Sequence, residues 1–202
     1  TLLSFSALLL FFAAGVLLGY GGLLPQWLTG SDYSSYALYL LMFLVGVGIG
    51  GDEKALKALR GFSFHILLVP LTTIVGTLIG VAAVYLFLNQ ITLTDVLAVG
   101  SGFGYYSLSS IIITDLRSPE LGVVALLANV MREIITLLMA PLFVRFFGKL
   151  APISSGGATS MDTTLPIISA SSGKEYAIVS LFHGIVLTIL VPFLVTFILS
   201  LG

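Results

Sequence analysis

Long apolar runs separated by short polar breaks dominate the chain. Mostly hydrophobic residues fill Leu2 to Tyr20, Tyr33 to Ile49, Phe62 to Leu88, Val96 to Thr114, Glu120 to Phe147 and Tyr176 to Leu201. A bilayer core about 30 Å thick needs about 20 such residues per helix, so each run predicts one crossing. The intervening stretches carry turn chemistry: "GYGGLLPQWLTGSD" (Gly19 to Asp32), "GDEKALKALRG" (Gly51 to Gly61), "LNQITLTD" (Leu88 to Asp95) and "DLRSPE" (Asp115 to Glu120). The expected fold is all-α, a polytopic helical membrane protein. It has about six to seven transmembrane segments, one or two of them discontinuous helices, in a single transporter-like domain over residues 1–202.

Composition narrows the function class. Of 202 residues, 58% are hydrophobic and 8% charged, against about 25% charged in a soluble domain. The expected setting is therefore multi-pass in the cell inner (plasma) membrane, with the lipid bilayer as a partner. A net charge of -1 supplies no basic footprint for nucleic acid. No cysteine is present and there are two scattered histidines, so no metal site and no cofactor are expected. Apolar from Leu2 to Leu18, without a basic stretch or a starting Met, the first segment reads as an internal or mature start.

Lys54, Lys57 and Arg60 place the second break, and with it the start of the chain, on the cytoplasmic side. Two further crossings would bring Arg117 to that same side. Residues 150 to 173 are then either a broken or re-entrant membrane segment or an external loop. A crossing there would add Lys174 to the cytoplasmic set and leave Arg145 and Lys149 outside, the split that the positive-inside rule favours. Composition agrees, because Ala151 to Gly173 holds no Lys, Arg or Glu.

Polar groups inside the apolar runs are the candidate chemistry. In "ELGVVALLANVMREIITLLMAPLF", Asn129, Arg132, Glu133 and Thr136 fall on one helical face, extended by Gly122, Ala125 and Ala140. A charge near the middle of such a run costs about 2.5 to 3.5 kcal/mol in lipid, so Arg132 and Glu133 face inward. They form either a structural ion pair or one wall of a substrate pathway. "GSGFGYYSLSS", Gly100 to Ser110, is the second candidate: its glycines interrupt a helix and leave backbone groups approachable. Tyr105 and Tyr106 add ring faces, and Ser107, Ser109 and Ser110 add hydroxyls; close packing through small residues is the plainer account. Gly15/Gly19, Gly46/Gly50 and Gly76/Gly80 read as helix-packing pairs, and His183 as a hydrogen-bonded core histidine.

Three ordered stretches, "GFGYYSLSS" (Gly102 to Ser110), "ALLANVMREI" (Ala125 to Ile134) and "GATSMDTTLP" (Gly157 to Pro166), resemble the lysine exporter family, LysO. The similarity runs over most of the chain. It implies ion-coupled export of L-lysine and close analogues from the cytoplasm, with Asp162 functional and the other two motifs contributing to the pathway. Members often carry Trp where this chain has Tyr105. Full-length members also have hydrophobic segments before the matched part, including an acidic membrane position with no obvious equivalent here. That implies completion by an N-terminal portion, a small hydrophobic partner subunit or a homo-oligomer.

Lysine carries two ammonium groups and a carboxylate. The expected site places an ammonium near Asp162 and Glu133, and the stem on Tyr105 or Tyr106. The carboxylate meets backbone N–H groups of the broken segments, with Arg132 in support. Asn129, Gly104, Ser107, Ser109, Ser160 and Thr163 complete the expected transport residues, with a proton or sodium as coupling ion. A sodium/proton-type antiporter is the alternative. An enzyme is not expected: "GIGGDE" fails the spacing of a membrane aspartyl protease, and no signature supports a Ser–His pair.

Overall fold

The computed structural model describes residues 64–88 and 91–202, with isolated positions between Leu17 and Val47. Two compact units are distinguished, Thr1–Ala37 and Leu38–Gly202, and the second holds every described element. The runs Leu2 to Tyr20 and Tyr33 to Ile49, the glycine pairs at Gly15/Gly19 and Gly46/Gly50, and the basic break at Lys54 to Arg60 lie outside the described residues, save those isolated positions.

Three helices are long and apolar enough to cross a membrane among the described residues: α1 (Phe64–Tyr85), α4 (Pro119–Phe147) and α7 (Ala177–Leu199). At 1.5 Å per residue they measure about 33, 43 and 35 Å, enough for a 30 Å core. α4 starts where its sequence says: Ser118 Oγ accepts from Leu121 N–H, Pro119 fills the first turn, and Glu120 meets the positive end of the dipole. It stops at Gly148, with φ 88°.

The remaining helices are half-length. α2 (Leu93–Gly100) and α3 (Tyr106–Leu116) divide the run from Val96 to Thr114 at its glycines. α5 (Ala151–Gly156), a 3₁₀ turn (Gly157–Met161) and α6 (Leu165–Ser172) make up the polar stretch after α4. None exceeds about 17 Å, so none spans alone. Two ion pairs settle where they go. Arg117 Nε, just after α3, donates to Asp95 Oδ1 in the first turn of α2 at 3.0 Å. Lys149 Nζ, just before α5, lies 3.6 Å from Glu175 Oε1, just after α6, and 5.3 Å from the Tyr176 ring. Each broken segment leaves and returns at the same end of the bundle: both are re-entrant hairpins.

This corrects two expectations. The run from Val96 to Thr114 turns back instead of crossing, so Arg117 is at the opposite end from the start of α1. Residues 150 to 173 likewise do not cross, and Lys174 shares an end with Lys149. The charge split favoured a crossing of 150 to 173; the turn back excludes it.

In chain order, helix α1 leads to hairpin α2–α3 at one end, and helix α4 runs back and leads to hairpin α5–α6 at the other. α7 closes the set. The two helix–hairpin units are of opposite direction, an inverted repeat. Their tips meet: Ala158 N–H donates to Phe103 O at 2.8 Å. Gly104 (φ 91°) and Gly157 (φ 64°) allow this approach, since a Cβ on Gly157 would strike the Phe103 carbonyl and one on Gly104 would lie 2.9 Å from Gly156 O. The core packs behind the first hairpin, where Ala98, Phe103, Leu108, Ile112 and Ile113 meet Leu187, Val191 and Val195 of α7. Gly76 and Gly80, expected to pack, are exposed and meet no described atom within 4 Å of a Cβ.

Candidate functional site

The hairpin tips meet beside the midpoint of α4, and the polar stripe of that helix holds them. Asn129, 3% exposed, accepts from Gly104 N–H through Oδ1 at 2.7 Å. Its Nδ2 donates to Val99 O at 3.2 Å and to Ala125 O at 2.9 Å. One neutral amide thus ties the first hairpin's tip to α4. One turn on, Arg132 ties the second: Nε donates to Ser155 O and Nη2 to Ser154 O, each at 2.8 Å. These carbonyls close the last turn of α5, the negative end of its dipole and short of intrahelical donors, so a guanidinium suits them. Thr136 Oγ1 lies 2.7 Å from Ser155 Oγ and donates to Arg132 O.

Arg132 and Glu133 are therefore not an ion pair among the described residues. Successive residues point about 100° apart on a helix. Arg132 turns toward α5, whereas Glu133 lies within electrostatic reach of the Tyr106 hydroxyl at the start of α3. Asp162 acts on that same hydroxyl and on that of Tyr105. Glu133 of α4 and Asp162 of the second hairpin thus both act on the Tyr106 hydroxyl of the first hairpin. Asp162 follows the 3₁₀ turn and is exposed; its Oδ1 accepts from Thr163 N–H at 2.6 Å and from Thr163 Oγ1 at 3.4 Å. Tyr105, Tyr106 and Ser107 are half-buried. Carboxylate and phenol groups of this kind suit an organic cation.

Other expected site residues are occupied structurally. Ser109 Oγ donates to Tyr105 O at 2.9 Å and is buried. Ser160, also buried, exchanges bonds with α7: its Oγ donates to Ser180 O at 2.9 Å, and Ser180 Oγ donates to Ser160 O at 2.7 Å. Ser160 Oγ is also 3.0 Å from His183 Nδ1, while His183 Nε2 is 2.9 Å from Thr73 Oγ1. His183, 0% exposed, is a hydrogen-bonded core histidine joining α7, the second hairpin and α1, as its sequence context leads one to expect.

Sequence reasoning missed Thr73, Thr77, Phe103 and the Ser154 and Ser155 carbonyls. Thr73 and Thr77 stand four apart in an apolar helix, a readable polar face. Backbone carbonyls leave no trace in a sequence.

The family model described as "Lysine exporter LysO" matches residues 9–199. The chain is 34% identical over 171 residues to the lysine exporter LysO of Escherichia coli, covering 83% of this chain and 55% of that one. It is 34% identical over 184 residues to a Haemophilus influenzae protein described as a candidate lysine exporter, covering 91% and 92% respectively. The chain thus spans about half the length of the first relative and nearly all of the second. No solved structure matches. With a family match over most of its length, a helical membrane fold and three ordered motifs now seen to converge, the chain belongs to the lysine exporter LysO family.

Proposed function

We propose that the chain exports L-lysine from the cytoplasm across the inner membrane by secondary transport, coupled to a proton or sodium gradient. The observation that carries this reading is the position of Asp162: an exposed carboxylate on the tip of a re-entrant hairpin, sharing the Tyr106 hydroxyl's surroundings with Glu133. Lipid exposure there costs about 2.5 to 3.5 kcal/mol, so in the working protein this face meets water or further protein. An ammonium of lysine binds Asp162 and Glu133, with its aliphatic stem on Tyr105 or Tyr106. A proton bound to either acid excludes the amine, which makes exchange by competition possible. Broken helices meeting at mid-depth inside an inverted repeat are the recurrent frame for this chemistry.

The charges support one orientation. Arg145, Lys149 and Lys174 belong to the end where α4 finishes, and Arg117 to the other. By the positive-inside rule the first end is cytoplasmic, so the second hairpin enters from the cytoplasm and the first from outside.

Purified protein in liposomes tests the reading. Lysine-loaded vesicles should accumulate labelled lysine by exchange. Sodium-for-proton exchange without lysine flux would replace the exporter with a cation antiporter.

A further inference from the structure

Arg132 is fixed from two directions, and one edge of it is left over. The side edge, Nε and Nη2, lies on the Ser155 and Ser154 carbonyls, each at 2.8 Å. The guanidinium carbon stands 5.9 Å from the centre of the Phe103 ring. The end edge, formed by Nη1 with the second N–H of Nη2, has one long contact among the described residues, from Nη1 to Thr77 Oγ1 at 3.5 Å. No acid pairs with Arg132 among those residues. The side chain also lines an open cavity of about 360 Å³ with Ala128, Met131, Ile135 and Ser155.

A cation midway along α4, with no acid partner among the described residues and its end edge only weakly engaged, suits a planar anion. A guanidinium presents parallel N–H groups that match a carboxylate, and pre-orientation lowers the entropy cost of engaging it. We propose that Arg132 binds the α-carboxylate of the transported amino acid, while Glu133 and Asp162 bind its cationic groups. This inference rests on the exporter reading. It assigns Arg132 a substrate contact in addition to its anchoring of α5, and it makes the carboxylate obligatory for recognition. The two poles are supplied by adjacent positions of one helix, so a diamine without a carboxylate meets only half the site.

Competition against labelled lysine in proteoliposomes decides. Against the wild-type protein, 1,5-diaminopentane, which is lysine without its carboxylate, should compete about 10- to 100-fold more weakly than lysine, the range expected for a lost charge-assisted pair. Arg132→Gln should bring the two competitors to within a few-fold of each other, and Arg132→Lys should restore part of the gap. A role in anchoring alone would weaken both competitors equally and leave their ratio unchanged. Equal competition on the wild-type protein overturns the proposal, and so does an Arg132→Gln protein that still prefers lysine. If Arg132→Gln fails to insert, the wild-type ratio stands as the deciding result. Absence of any lysine flux in the wild type is a different result, and it removes the exporter reading itself.

Discussion

Gly157 and Asn129 are the residues on which the meeting of the two hairpins depends most directly. Gly157 has φ 64°, and a Cβ there would run into the Phe103 carbonyl, which is backbone and cannot rotate away. Gly157→Ala should therefore cost about 2 to 4 kcal/mol from left-handed strain plus displacement of the opposing tip. Thermal unfolding of the detergent-purified protein checks it; an unchanged transition would mean the tips do not touch. Asn129→Ala strips Gly104 N–H of its partner and leaves Val99 O with Gly102 N–H alone, at about 1 to 3 kcal/mol for the group left unsatisfied. The same unfolding measurement should show a loss. Asn129→Asp should not rescue it, because a carboxylate accepts from Gly104 N–H but sets its second oxygen against the Val99 and Ala125 carbonyls. The stripe that holds Asn129 and Arg132 is plain in the sequence, since polar residues at helical spacing in an apolar run have to face inward. What they face was not legible. Their partners are carbonyls and an amide of segments more than 20 residues away, and any residue supplies those groups.

At the scale of elements, the glycines at Gly100, Gly102 and Gly104 and the uncharged polar stretch from Ala151 announced two interruptions, and both are present. Hydropathy did not reveal that the interrupted segments turn back. Two half-helices folded on each other have the same composition as one crossing, and the pairs Asp95–Arg117 and Lys149–Glu175 distinguish them. Thiols placed at those pairs supply the test, in a chain with no native cysteine. Asp95→Cys with Arg117→Cys, and separately Lys149→Cys with Glu175→Cys, should cross-link with a short bifunctional thiol reagent. A crossing segment would hold each pair about 30 Å apart, the thickness of the hydrocarbon core, and give no product.

For the molecule as a whole, turning the two segments back changes the accounting of charge. A reading in which both cross puts Arg117 and Lys174 with Lys54, Lys57 and Arg60 on one side and Arg145 and Lys149 on the other, a split the positive-inside rule also accepts. With both re-entrant, Arg145, Lys149 and Lys174 share an end and Arg117 stands at the opposite one, the asymmetry expected of an inserted protein. An impermeant thiol reagent should label Lys174→Cys from the cytoplasmic face and Arg117→Cys from the external face; labelling of both from one face would restore a crossing. The proposed export route runs through Asp162, carried on the tip of the second hairpin. Its most direct test is lysine exchange by Asp162→Asn protein in liposomes, alongside a thermal unfolding profile matching the wild type. The expected result is exchange reduced to that of protein-free vesicles with the fold retained, and lysine exchange at the wild-type rate would contradict it.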